Sequence, residues 1–83
     1  MENSSQLASL EVAESQIIAY LSKIVGGTPR PSDSLAVLGV DSVAMAELTF
    51  ELEKRFGIQI DDDILDVDTI RELTQYVISR QRT

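Results

Sequence analysis

The sequence predicts an all-α fold, a small antiparallel four-helix bundle of three main helices and one short one. Three observations carry that expectation. Apolar residues recur at three- and four-residue steps in three segments, glycine closes the first two, and the one alternating stretch has no second strand to pair with. Eighty-three residues leave room for one core, so residues 1–83 are expected to form a single domain with 1–6 as a disordered polar tail.

In the first segment, Leu7, Leu10, Ala13, Ile17, Leu21 and Ile24 share one stripe of a helix of about four turns, and Val12, Ile18 and Val25 widen it. Ser4, Ser5 or Ser9 can cap its start. Gly26 and Gly27 end it with left-handed geometry, and Pro29 forbids a restart. GGTPRPSDSLAVLGV then reads as a long loop that includes Ser32 and Ser34. Leu35, Val37, Leu38 and Val40 are expected to drop into the core, so that the loop holds its far end, residues 39–42, in place.

A second helix runs from about Ser42 to Phe56 and ends at Gly57. Met45, Leu48, Thr49, Leu52 and Phe56 form its inward stripe, while Val43, Ala46, Glu47 and Phe50 form a neighbouring face. Phe50 can equally complete the core. Ile58 and Ile60 flank Gln59 in an extended link that plugs both isoleucines into the core. DDDILD suits a short helical turn capped by Asp61 and Asp62 and anchored by Ile64 and Leu65. The last helix opens with the T-x-x-E spacing of a capping box at Thr69–Glu72. It buries Ile70, Leu73, Tyr76 or Val77, and Ile78, with Arg80 and Arg82 offsetting the dipole at its end.

Composition narrows the function. Cysteine and histidine are both absent, which removes disulfides, thiolate metal sites and the Ser-His and Cys-His nucleophile systems. An enzyme is not expected. Fourteen acidic residues against seven basic ones repel nucleic acid and anionic membranes and favour basic protein partners. There is no run of eighteen apolar residues, and MENSSQ lacks the regions of a signal peptide, so a cytoplasmic monomer is expected. DDDILDVD raises the question of calcium. It has no glycine at the sixth place, however, and Ile64, Leu65 and Val67 occupy the run, so no metal site is expected.

The remaining question is Ser42. Asp41 is a natural N-cap after the turn that Gly39 permits, which leaves Ser42 in the first turn with its hydroxyl free to point outward. Unpaired N–H groups and the positive end of the helix dipole favour an attached phosphate there. Capping alone also accounts for an Asp-Ser pair at this place, in which case the domain is an unmodified helical interaction module.

LGVDSVAMAEL resembles the phosphopantetheine attachment site of acyl carrier proteins and peptidyl carrier domains, L-G-x-D-S followed by an apolar helix. The likeness runs from about Leu7 to Ile78 and includes DSLAVLGVDS, FGIQI and TIRELTQYV. It implies that a phosphopantetheinyl transferase uses coenzyme A to place 4'-phosphopantetheine covalently on Ser42, with Asp41 positioning magnesium and the transferase. The thiol of the arm then holds acyl groups as thioesters. It further implies a recognition surface of Val43, Ala46, Glu47, Phe50 and Glu53, read by an acyl- or aminoacyl-loading enzyme and by a ketosynthase or other synthase and tailoring enzymes. The second helix departs from fatty-acid carriers in Lys54, Arg55 and the small Ala44 and Ala46. These departures favour polyketide, hybrid polyketide/peptide or other secondary-metabolite biosynthesis over fatty-acid synthesis or a peptidyl role. The Met start and short polar end suggest a free-standing carrier, although a domain cut from a larger synthase would look the same.

Overall fold

The computed structural model describes residues 9–81. The expectations for the 1–6 tail, Ser4, Ser5, Leu7 and Arg82 lie outside the described residues. The fold is all-α: α1 (Leu10–Val25), α2 (Leu35–Leu38), α3 (Ser42–Phe56), a 3-10 helix (Asp62–Asp66) and α4 (Ile70–Arg80). Among the described residues the only β feature is an isolated antiparallel bridge between Ser34 and Thr69.

Of the three candidate caps for α1, Ser9 is in place, its hydroxyl accepting the Val12 N–H at 3.2 Å. Ala13, Ile17 and Leu21 are buried, whereas Leu10, in the first turn, and Val12, off the stripe, are exposed. Gly26 closes the helix with φ 75° and ψ 161°. That conformation is not left-handed helical but belongs to a region essentially reserved for glycine.

The expected loop contains a helical turn. Ser34 caps α2, Gly39 closes it in the left-handed region, and the N–H groups of Leu38 and Val40 bond to the carbonyls of Ser34 and Leu35. This turn separates the apolar residues. Leu35 is buried and Leu38 and Val40 pack on the core, but Val37 falls on the outer side and is 84% exposed, not buried as expected.

The segment before α2 is tied to the start of α4. Ile70 N–H donates to Asp33 O (3.1 Å), Arg71 N–H to Pro31 O (2.8 Å), Leu35 N–H to Asp68 O (2.8 Å) and the Ser34 hydroxyl to the Asp68 carboxylate (3.0 Å). The capping box is also formed: Glu72 N–H donates to Thr69 Oγ1 at 3.1 Å, and the Glu72 carboxylate accepts from Thr69 N–H. The otherwise orphaned donors of the first turn of α4 are thereby satisfied.

Ile17, Leu21, Leu35, Leu48, Leu52, Ile64, Ile70, Leu73 and Val77 make the core, with Met45, Phe56, Ile58 and Ile60 packed against it. Helices α1 and α4 form the most extensive pairing, bridged by an Arg71–Glu14 ion pair. In α4 the structure decides between Tyr76 and Val77 in favour of Val77, and two residues, Ile78 and Thr74, depart from expectation. Val77 is buried and Tyr76 half-buried, Ile78 is only half-buried, and the unanticipated Thr74 is fully buried. Thr74 is accommodated because its hydroxyl donates to Ile70 O at 2.9 Å.

In the 3-10 helix Ile64 is the anchor, while Leu65 is 71% exposed. A short 3-10 helix turns too tightly to point two successive side chains at one core. Asp61 holds the N-cap position but makes no side-chain cap bond, because its carboxylate pairs with Arg80. Arg80 lies in the last turn of α4, as expected, and makes this pairing from there.

Candidate functional site

Helix α3 begins where Gly39 and the tied loop place it. Asp41 has extended backbone (φ −87°, ψ −173°), and its carboxylate accepts the Ala44 N–H at 2.9 Å, while its carbonyl accepts the Met45 N–H at 2.8 Å. Ser42 is the first helical residue and is exposed. Among the described residues no hydrogen bond claims the N–H of Ser42 or Val43. An exposed serine therefore stands beside two unclaimed donors at the positive end of a fifteen-residue helix.

A groove of about 360 Å³ opens between α3 and the 3-10 helix, and Ser42 is part of its lining. Met45, Ala46 and Thr49 form the α3 side; Ile60, Ile64 and Leu65 form much of the other, with Asp61 and Asp62 at its edge. Thr49 donates its hydroxyl to Met45 O at 2.8 Å, so this polar group is already satisfied within the helix. The groove thus offers a mainly apolar surface next to the serine. No local pattern signals that the Ile58–Ile60 link and DDDILD fold back beside Ser42; only the two isoleucines hint at inward packing.

The five residues expected to face partners do not behave alike. Val43 (67% exposed) and Phe50 (65% exposed) stand out from α3, which excludes the core position for Phe50. Ala46 and Glu47 are also exposed. Glu53 is only half-exposed, and its carboxylate accepts the Ile60 N–H at 2.9 Å, tying the link to α3. Beyond Phe50 the face changes sign: Lys54 Nζ lies 5.5 Å from the Phe50 ring centroid. Arg55 is engaged by Glu51 at 2.7 Å, and the hydrogen bond it donates holds the Glu51 carboxyl below its usual range.

The acidic DDDILDVD run gathers no set of three ligating side chains among the described residues. Two of its carboxylates are instead occupied by α4. Arg80 reaches Asp61 at 2.9 Å and Asp63 at 2.6 Å, and its guanidinium lies over the Tyr76 ring at 4.8 Å. The Tyr76 hydroxyl donates to Asp63 at 2.6 Å and accepts from the Asp61 N–H at 3.2 Å. The Tyr76 hydroxyl and Arg80 hold the Asp63 carboxyl below its ordinary value; burial and the bond to Asp63 push the Tyr76 phenol above its own. Sequence reasoning missed this cluster, since its partners come from elements whose docking no local pattern records. No described helix is long and apolar enough to cross a membrane.

Residues 15–77 match the model of a protein family described as phosphopantetheine attachment site. The matched span takes in α1 from Ser15 onward, α2, α3, the 3-10 helix and α4 as far as Val77, with Asp41 and Ser42 near its middle.

Proposed function

The chain belongs to the phosphopantetheine-binding family of non-catalytic carrier domains, and from that premise we propose that Ser42 is the attachment residue and that the domain shuttles acyl thioesters between partner enzymes. The observation that carries the assignment is the exposed Ser42 hydroxyl at the start of α3, flanked by the unclaimed N–H groups of Ser42 and Val43. A phosphodiester at that position has donors and a favourable dipole within reach. The residues fit the group: Ser42 is exposed, and the apolar groove lies alongside. When bound, the group supplies the thiol that a chain without cysteine does not have.

Asp41 has two compatible roles. In the resting domain it caps α3; in the encounter with the transferase its exposed carboxylate helps position magnesium at Ser42. Val43, Ala46, Glu47 and Phe50 form the partner-facing strip, with apolar contacts fixing register and charge speeding encounter. Glu53 contributes through its hold on Ile60. Lys54 over Phe50 gives the strip a mixed polarity, which supports a specialised polyketide or hybrid polyketide/peptide pathway over fatty-acid synthesis.

The test is a mass measurement. Incubation with coenzyme A and a broad-specificity phosphopantetheinyl transferase adds one phosphopantetheine to the natural chain and none to Ser42→Ala. An unchanged mass with several transferases of proven activity would overturn the assignment and leave an unmodified interaction module.

A further inference from the structure

The 3-10 helix forms one wall of the groove beside Ser42, and it is weakly built. It is five residues long, has no side-chain cap and buries only Ile64. Hydrogen bonds in such a turn are poorly aligned, so little of its order is intrinsic. What fixes it lies outside it. On one side Glu53 holds the Ile60 N–H. On the other, Arg80 bridges Asp61 and Asp63, and the Tyr76 hydroxyl joins the Asp61 N–H to the Asp63 carboxylate. Asp61 lines the groove and also takes Arg80, so only this thin wall separates the groove from the tether.

We propose that Tyr76 and Arg80, which do not line the groove, form a releasable clasp that sets how far the groove beside Ser42 opens. Both carboxylates are more than half exposed and Arg80 is partly so, which makes each ion pair weak and sensitive to competition. Tyr76 adds the short bond to Asp63 and a surface for the guanidinium. Losing the clasp leaves Ile64 and Glu53 as the remaining holds, so the wall swings on a free energy well below that of global unfolding. The fully buried side chains that α1, α3 and α4 give the core stay in place, since none of them belongs to the clasp; Tyr76 packs against that core through its ring. The inference deepens the carrier reading, because such a groove would receive what Ser42 carries, yet its mechanics need nothing attached.

The experiment is amide hydrogen exchange on the unmodified chain, with Tyr76→Phe, Arg80→Gln and Arg80→Lys as variants. Tyr76→Phe keeps the packed ring, and Arg80→Lys keeps the charge without the two-pronged reach, so both spare the fold. The Ile64 and Val67 amides, which bond within the 3-10 helix to Asp61 O and Ile64 O, exchange about tenfold faster in Tyr76→Phe and Arg80→Gln, and less so in Arg80→Lys. The methyl NMR signal of Met45, on the opposite wall, shifts with them, while amides of Leu21 and Leu73 are unchanged. Unchanged exchange at Ile64 and Val67, or a parallel rise at Leu21 and Leu73, overturns the clasp. Attachment to Ser42 is read separately by mass, so failure of one reading leaves the other standing.

Discussion

The Asp41 carboxylate caps α3 and is proposed to position the transferase as well, and the two roles can be separated. Asp41→Ala removes the acceptor for the Ala44 N–H and is expected to lower unfolding free energy by about 1 kcal/mol, whereas Asp41→Asn retains most of the cap. Denaturant titration measures this. Loss of phosphopantetheine transfer in the Asn variant, with stability largely kept, isolates the positioning role of the charge. Ser42→Ala is the complementary case. Its side chain makes no described hydrogen bond and is exposed, so stability is expected to change by less than about 0.5 kcal/mol, while the attachment proposed for it is expected to be lost. The Asp-Ser doorway was legible in eleven letters because capping is local chemistry. The groove was not, because Leu65 and Ile60 reach Ser42 only through the way the link folds back.

At the level of elements, the helices with strong periodicity and clear stops fell where the sequence placed them. α3 begins at Ser42 and ends at Phe56 before a left-handed Gly57, and α4 opens with the capping box of Thr69 and Glu72. What went unread was the work of Ser34. It looked like a loop residue, yet it caps α2 and donates to Asp68, thirty-four positions away. No periodic signal encodes a turn of four residues, and none encodes a partner so distant. The consequence is testable. Thr69→Ala is expected to cost about 1 kcal/mol through the lost box. Asp68→Ala is expected to speed amide exchange at Val37 and Leu38 in α2, where the Ser34 cap loses its support, more than in α1. Exchange NMR on the two variants checks both.

For the molecule as a whole, stability rests on a small shared core and on charges at its edge. Leu48, fully buried between elements, is a point where loss is felt everywhere: Leu48→Ala is expected to cost about 2–5 kcal/mol, seen as one cooperative shift in denaturant midpoint. The charged edge sets the response to pH. The folded Asp63 and Glu51 carboxyls lie below their ordinary values of 3.8 and 4.5, through the bond from Tyr76 and that from Arg55 respectively. Their contribution is therefore complete above those values and is lost as pH falls through the lower folded ones. The Tyr76 phenol runs the other way. Burial and Asp63 raise it above 10.0, so its contribution is complete below that value and is lost as pH rises through the folded one. Denaturant titrations at stepped pH should give a plateau with an acid and an alkaline shoulder. Tyr76→Phe should shrink the alkaline shoulder without abolishing it, because Tyr20 is raised as well, chiefly by burial.

The tie between residues 31–35 and the start of α4 also has a temporal side. A ribosome releases Ser42 well before it releases Asp68, Ile70 and Arg71, whose backbone groups and side chains hold the preceding loop in register. Until that later stretch has emerged and docked, the serine sits on an unmoored segment. A nascent or truncated chain lacking α4 would thus be a poor substrate for any enzyme that reads the doorway as a shape, and recognition there would report that α4 had emerged and docked.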